Sequence, residues 1–181
     1  MKSSEIKPSA NPQSRESRVK ATPEPTKGKA VRSVKSWYVE FNYLSMFKAS
    51  PREQIDIIRN GLPAETLTIT VRDMGIPKQW LYDVLKFPRT TVNRQITKKE
   101  HLSPEFSERM IGLQKLIGQV ESIMAESGAD SDFNAAHWVA QWLEQPLPAL
   151  GNAKPADYMD TVVGQELVAS MLARMQSGAY A

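Results

Sequence analysis

The stretch that decides the fold is PKQWLYDVLKFPRTTVNRQI, residues 77–96. Pro77 and Pro88 each stand where a helix can begin, because proline is favoured at the first helical position. Only Lys86-Phe87-Pro88 separates the two helices that follow these prolines. Two short helices joined by so tight a turn, the second of them polar, predict helix-turn-helix geometry.

The second helix of this pair, Arg89–Ile96, has the composition of a DNA-reading helix. Val92 and Ile96 share one face and anchor it, so the remaining side chains point outward or to the flanks. Arginine, asparagine, glutamine and threonine are the side chains that read base edges, and lysine suits phosphates. The candidate DNA-binding residues are Arg89, Thr90, Thr91, Asn93, Arg94, Gln95, Lys98 and Lys99. A polar, solvated helix in an all-α bundle remains the alternative interpretation.

The segments around this pair are also helical by pattern. Ser50-Pro51-Arg52-Glu53 has the residues of a capping box, and Asn60-Gly61 ends the helix that it begins. Pro63 begins a second helix, which ends near Met74-Gly75, and Ser103-Pro104 begins a longer one. Apolar residues in the longer helix step by three and four, which predicts a buried face. They are Phe106, Met110, Leu113, Ile117, Val120 and Met124.

Residues 36–47 are dense in aromatic side chains and leave two interpretations open. Val39, Phe41 and Tyr43 alternate with polar residues, as in a strand, whereas Trp37, Phe41 and Leu44 suit one helical face. In either case we expect core packing.

The last fifty residues predict two or three more helices and a protruding end. Trp138 and Trp142 share a helical face, which favours a core role. A second helical run, Gly164–Gln176, leads into Gly178-Ala179-Tyr180-Ala181. An ordered helix that ends in glycine, tyrosine and a free carboxylate provides a short tip that can enter a pocket on another protein.

The first 35 residues differ from the rest of the chain in charge and composition. They carry nine Lys or Arg and three Glu, whereas the whole 181-residue chain has a net charge of only +3. They are rich in Ser and Pro and poor in apolar residues, which predicts a disordered basic tail. Such a tail either contacts phosphates without sequence preference or only increases solubility.

Composition argues against several other functions. The chain has no cysteine and two histidines, His101 and His137, which are far apart. We therefore expect no thiol catalysis and no metal site. Because the sequence also offers no glycine-rich phosphate loop and no nucleophile motif, we expect no cofactor and no catalytic residues, and the protein is predicted not to be an enzyme. A secretory leader and an apolar run of 18 residues are both missing, which predicts a soluble, cytoplasmic protein with no membrane contact.

From Ser50 onward the chain resembles the Xre/MbcA/ParS-type antitoxins of type II toxin–antitoxin systems. The resemblance covers roughly 130 residues and depends on the order and spacing of short pieces. The N-terminal pieces are Pro51–Ile55, Ile58–Pro63, Thr90–Arg94 and Leu102–Arg109. The C-terminal pieces are Trp142-Leu143, Pro146, Leu150-Gly151, Pro155, Thr161, Gly164, Val168, Leu172, Arg174, Gly178 and Tyr180.

The resemblance implies an all-α fold with an Xre-like helix-turn-helix domain followed by a small helical toxin-binding domain. The expected boundaries are 1–35 for the tail, 36–128 for the DNA-binding domain and 129–181 for the antitoxin domain. The implied partners are a cognate RES-domain toxin that degrades NAD and the operator DNA of its own operon, which the protein represses. The implied toxin-binding residues are Arg174, Gly178, Ala179, Tyr180 and Ala181.

The chain departs from the family pattern in the helix-turn-helix. A small residue and a glycine are common where Tyr82 and Lys86 stand, and a second arginine is common where Gln95 follows Arg94. These changes bear on the strength and preference of DNA binding. A homodimer is expected, because helix-turn-helix proteins usually read two half-sites. The alternative function is a stand-alone transcriptional regulator without a toxin partner.

Overall fold

The computed structural model describes residues 42–128 and 133–176, and all the regular structure in these ranges is helical. The predicted all-α class is therefore confirmed. The helices are α1 (Tyr43–Lys48), α2 (Pro51–Asn60), α3 (Glu65–Met74), α4 (Lys78–Val84), α5 (Arg89–Thr97), α6 (Pro104–Glu126), α7 (Ala135–Leu143) and α8 (Val162–Gln176). Two short 3-10 helices, Pro148–Leu150 and Pro155–Tyr158, lie between α7 and α8.

The predicted starts of α2 at Ser50 and of α6 at Ser103 are confirmed by their capping contacts, whereas the helix predicted from Pro63 begins at Glu65 without a side-chain cap. The Ser50 hydroxyl accepts from the Glu53 backbone N–H at 3.3 Å, and the Glu53 carboxylate accepts from the Ser50 backbone N–H at 2.8 Å. Ser103 caps α6 through the backbone N–H of Phe106. Each cap satisfies a backbone donor that the helix itself leaves unpaired, so these starts are set locally.

The long helix α6 is the centre of the molecule. It contacts α1 and α2, and it also contacts α7 and α8 from the C-terminal segment. The apolar stripe predicted along it is confirmed as core, with Met110, Leu113 and Ile117 fully buried and Val120 nearly so. Trp138 and Trp142 stack at 5.9 Å between ring centroids, and Trp142 is buried in the same core.

The start of the described chain is a helix that crosses α6 at close range. A Cβ atom at Gly118 would lie 2.0 Å from the Tyr43 carbonyl oxygen, so only glycine allows this approach of α1. The Tyr43 hydroxyl donates to Asp73 on α3 at 2.9 Å, and Met46 is fully buried. The helical alternative therefore holds from Tyr43 onward. Residues 36–41 lie outside the described residues, as do the predicted basic tail and the terminal tip.

The buried side chains of the two halves form one cluster. Leu143, Met159 and Val168 from the C-terminal segment are fully buried together with Leu67 and Leu81 from the N-terminal helices. The division into domains at residue 128 stays a prediction. Among the described helices, none is both long enough and apolar enough to cross a membrane.

Candidate nucleic-acid and partner-binding surfaces

The turn between α4 and α5 is built by contacts from both sides. Phe87 is buried, its backbone N–H donates to the Tyr82 carbonyl at 2.8 Å, and its ring packs on Phe106 at 5.2 Å. Arg109 of α6 donates to the carbonyl oxygens of Leu85 and Lys86, at 2.8 Å and 3.3 Å. These contacts hold α5 at a fixed angle to the core.

Lys86 adopts the conformation that the turn requires. Its φ of 51° lies in the left-handed region, where glycine is the least strained residue. The chain therefore accepts a small conformational cost at this position and gains an exposed lysine next to α5. The turn forms with lysine in place of the glycine common in the family pattern.

The structure places most of the predicted DNA-reading side chains on one exposed surface, which we call the α5 surface. Thr91 lies partly buried beside it, and Val92 is fully buried as the predicted anchor. The exposed members are Arg89, Thr90, Asn93, Arg94, Lys98 and Lys99.

The prediction that Gln95 points outward or to the flanks is wrong. Gln95 is only 8% exposed, and its side-chain amide donates to the His101 carbonyl at 3.0 Å. After α5 the chain turns back, so that the backbone N–H of Leu102 donates to the Leu62 carbonyl at 2.7 Å and Gln95 faces this returning segment of the chain. Gln95 therefore holds the loop after α5 instead of facing solvent.

The two arginines of the α5 surface lie next to acidic side chains. Arg89 pairs with Asp83 at 3.2 Å, and Arg94 lies 4.0 Å from Glu100. Hydrogen bonding from Gln79, and then from Arg89, lowers the pKa of Asp83 below its ordinary value. Exposed pairs of this kind contribute little to stability, because water and salt screen them. Both guanidinium groups can therefore exchange these partners for phosphates or bases.

Tyr82 connects α4 to α5 through a side-chain contact. It is 4% exposed, and its hydroxyl donates to Asn93 Oδ1 at 2.6 Å. Burial raises the pKa of Tyr82 above its ordinary value, so the hydroxyl stays protonated at neutral pH and remains a donor. The orientation of the Asn93 amide is thus set by a buried residue.

The C-terminal segment presents an apolar face that the sequence analysis did not identify. Val163 is 76% exposed, and Val162, Leu167 and Met175 are also exposed on α8. Another side of α8 is buried through Gly164, Val168 and Leu172, which belong to the resemblance. The signal was available, because Val163 and Leu167 are one turn apart and lie off the Gly164–Val168–Leu172 stripe.

A groove adjoins this α8 face. It has a volume of about 340 Å³ and lies between α2, α6 and α8. Its apolar lining includes Phe47, Ile58, Ile111 and Val162, and its charged lining is Glu108, Lys115 and Glu166. The groove therefore offers apolar contact beside side chains of both charges.

The predicted toxin-binding residues are only partly within the described chain. Arg174 is exposed near the end of α8, one turn beyond Ser170. Gly178, Ala179, Tyr180 and Ala181 lie outside the described residues. Within residues 42–128 and 133–176, no three histidine or acidic side chains come together as metal ligands would.

Two comparisons with known proteins match the two halves of the chain separately. Residues 53–115 match the antitoxin Xre-like helix-turn-helix domain, and residues 129–178 match the antitoxin Xre/MbcA/ParS C-terminal toxin-binding domain. The chain is also 40% identical over 141 residues to a protein of Sphingobium sp. (strain YBL2) named the Prs ADP-ribosylating antitoxin. That alignment covers 78% of this chain and 89% of the relative.

Proposed function

The chain belongs to the Xre/MbcA/ParS family of antitoxins, and we propose that it neutralises a RES-type, NAD-consuming toxin and represses its own operon. The observation that supports the toxin-binding part of this proposal is the exposed apolar face of α8, because this face lies within the matched toxin-binding domain. Exposed valine and leucine side chains gain free energy when a partner covers them.

The proposed toxin contact runs along α8 towards the C-terminus. Val163 and Leu167 provide apolar area, and Arg174 provides a charged side chain for carboxylates of the toxin. Residues 178–181, with Tyr180 as an aromatic anchor, extend the contact into the toxin. In this proposal the antitoxin acts by binding and has no chemistry of its own.

The class of toxin is proposed from the resemblance and from the name of the relative. That name refers to ADP-ribosylation of Prs. ADP-ribosyl transfer and NAD hydrolysis both break the bond between nicotinamide and ribose, and they differ only in the acceptor. A toxin of either kind consumes NAD in the cytoplasm, where this proposal also places the antitoxin.

The proposed DNA contact uses the α5 surface. Arg89, Thr90, Asn93 and Arg94 face outward from the helix that the turn holds in place, and Lys98 and Lys99 follow it. We propose that a homodimer presents two such surfaces to two operator half-sites. The alternative of a stand-alone regulator shares this surface and lacks the toxin contact.

The test of the toxin half is co-expression of the chain with the product of the adjoining gene. The natural chain should co-purify with that product and restore growth. Val163→Asp should weaken the complex by roughly 10–100-fold, because it replaces apolar burial with a charge that must be desolvated. Thr68→Asp, an equally charged change on exposed α3, is the control and should leave the complex intact.

Two outcomes would contradict the proposal in different ways. If the natural chain neither binds the product nor restores growth, the antitoxin role towards that partner fails and the stand-alone regulator is favoured. If binding is intact in Val163→Asp, the α8 face is not the contact. Deletion of residues 178–181 in the same assay separates the α8 face from the tip.

A further inference from the structure

Both helices of the helix-turn-helix are followed by a lysine in the left-handed conformation. Lys86 follows α4 with a φ of 51°, and Lys99 follows α5 with a φ of 54°. At each end the residue after the lysine donates its backbone N–H to a carbonyl five residues earlier, at 2.8 Å after α4 and at 2.9 Å after α5. This hydrogen bond closes a helix end that requires one left-handed residue.

Glycine is the residue that such a helix end favours, because the absence of a Cβ removes the steric cost of the left-handed region. The end of α3 shows this arrangement, since Gly75 has a φ of 67° and Ile76 donates to the Val71 carbonyl at 3.2 Å. The same bond after α4 and α5 forms with lysine, at a cost in backbone strain. Strain of this kind concentrates at functional positions.

The position of the two lysines relative to α5 indicates what the strain gains. Both residues are exposed, Lys86 in the turn before α5 and Lys99 just after it. The nine residues of α5 make a helix about 13 Å long, and the major groove of DNA is about 12 Å wide. Positive charges just beyond the two ends of a helix in the groove can meet the phosphates that border the groove on either side.

A role in the fold alone does not explain a lysine at these positions. A positive charge near the C-terminal end of a helix interacts favourably with the helix dipole. Gln79, then Arg89 and, least, Lys86 also lower the pKa of Asp83. Lys98 shows that a lysine at a helix end does not need a strained backbone, because its φ is −86°. The dipole therefore accounts for a lysine near the end of a helix, but not for one in the left-handed position.

We propose that Lys86 is a DNA-binding residue, which contacts a phosphate on one side of the groove while Lys99 contacts a phosphate on the other side. The chain gives up backbone stability at both ends of α5 and gains affinity for DNA that does not depend on base sequence. The proposal rests on the proposed DNA-binding function, and it adds to the α5 surface a residue from the turn before the helix.

The test compares stability and DNA binding in variants of the full-length chain. Lys86→Gly removes both the strain and the charge, so it should raise the melting temperature by about 2–4 °C. It should also weaken binding to a mixed-sequence duplex by roughly 5–10-fold at about 0.1 M salt. The slope of log affinity against log salt should become shallower by about one for each bound chain. Lys99→Gly should show the same opposed changes.

Two further variants separate the effect of strain from the effect of charge. Lys86→Gln keeps the strain and removes the charge, so it should weaken DNA binding as Lys86→Gly does, without the gain in melting temperature. Glycine also frees the turn, so an equal loss in Lys86→Gln assigns the effect to charge. Asn152→Gly, the control, replaces a left-handed residue of the C-terminal segment with a φ of 66°. It should leave the affinity and the salt slope unchanged.

The outcomes separate this inference from the proposed function. If the natural chain binds duplex DNA, and Lys86→Gly or Lys86→Gln keeps its affinity and its salt slope, then Lys86 contacts no phosphate and the inference alone is overturned. A lower melting temperature in Lys86→Gly also overturns it, because the lysine then serves the fold. If the natural chain binds no duplex, including the promoter region of its own gene, the proposed operator binding fails and the inference fails with it.

Discussion

The carboxylate of Glu144 accepts hydrogen bonds from two elements that are distant in sequence. The indole N–H of Trp80 on α4 donates to one oxygen at 2.5 Å, and the ammonium of Lys154 lies 2.7 Å from the other. Glu144 therefore joins the first helix of the helix-turn-helix to the segment that leads into α8. The bond from Lys154, followed by that from Trp80, lowers the pKa of Glu144 below its ordinary value, and Glu144 raises the pKa of Lys154.

The direction of these shifts fixes how stability depends on pH. A carboxyl whose pKa is lowered on folding contributes its full stabilisation when the pH is above its pKa in the unfolded chain, about 4.3. It loses that stabilisation as the pH falls through its pKa in the folded chain. An amine whose pKa is raised on folding contributes its full stabilisation when the pH is below its pKa in the unfolded chain, about 10.4. It loses that stabilisation as the pH rises through its pKa in the folded chain. The contribution of the pair is therefore full between roughly pH 5 and pH 10.

Glu144→Gln should lower the free energy of unfolding at pH 7 by about 0.2–1 kcal/mol, since the pair is partly exposed. The difference from the natural chain should shrink as the pH falls through the lowered pKa of Glu144, because the carboxylate of the natural chain then becomes protonated. Urea unfolding at several pH values measures both effects. Glu166→Gln, which removes an exposed carboxylate on α8, is the control. A difference that stays constant as the pH falls until the chain unfolds would contradict this account.

At the scale of single helices, the sequence predicts where a helix begins and ends better than it predicts what the helix packs against. Ser50, Pro51 and Glu53 cap α2 through neighbours in sequence, so the start of α2 could be predicted. Gln95 stands three residues after the buried Val92, so local spacing places it at the edge of the buried face and its polar side chain favoured an outward prediction. Its burial depends on the pairing of Leu102 with Leu62, 40 residues earlier in the chain, and no local pattern carries that information.

The α8 helix shows the same limit for an exposed apolar residue, where Gln95 showed it for a buried polar one. Its buried stripe of Gly164, Val168 and Leu172 could be predicted as part of the resemblance. The exposure of Val163 could not be predicted with the same ease, because an apolar residue in a helix is usually expected in the core. Which apolar side is buried is decided by contacts with α6, such as the bond from Gln119 to the Ala169 carbonyl at 3.1 Å.

The α5 element offers a prediction that distinguishes base reading from charge. Arg94 and Lys98 are both exposed on its surface, one turn apart. If Arg94 reads a base, Arg94→Ala should weaken binding to the operator by about 1–3 kcal/mol and leave binding to unrelated DNA less affected. Lys98→Ala should weaken binding to all DNA alike and reduce the salt slope by about one.

Titrations of the operator and of an unrelated duplex at several salt concentrations measure both terms. Each variant serves as the control for the other, because both remove one positive charge from the same surface. Equal loss on the two duplexes for Arg94→Ala would show that Arg94 contacts phosphate only.

At the scale of the whole molecule, the two matched segments are held together by polar and apolar contacts alike. The amide of Gln165 on α8 donates to the carbonyl oxygens of Arg109 and Met159, at 2.9 Å and 2.8 Å. His137 on α7 lies 3.2 Å from the Met74 carbonyl at the end of α3. Together with the shared core, these contacts favour one cooperative unit over two independent domains.

We therefore expect the chain to unfold in a single transition in urea. Tryptophan fluorescence reports on both segments, through Trp80 in one and Trp138 and Trp142 in the other, and circular dichroism reports on all the helices. The two signals should give the same midpoint, since cooperative unfolding of a shared core exposes all of it at once. Deletion of residues 129–181 should lower the midpoint of the remaining chain strongly, because it uncovers the side of α6 that α7 and α8 bury.

The contrary result has a definite meaning for function. Two separate transitions, one of which is kept in the chain without residues 129–181, would show that the helix-turn-helix segment folds alone. Toxin bound at α8 would then have no rigid connection to the α5 surface. A single transition would mean that the packing that holds α8 in place also holds α4 in place. In that case Trp80, Glu144 and Lys154 form one polar connection between the two matched segments.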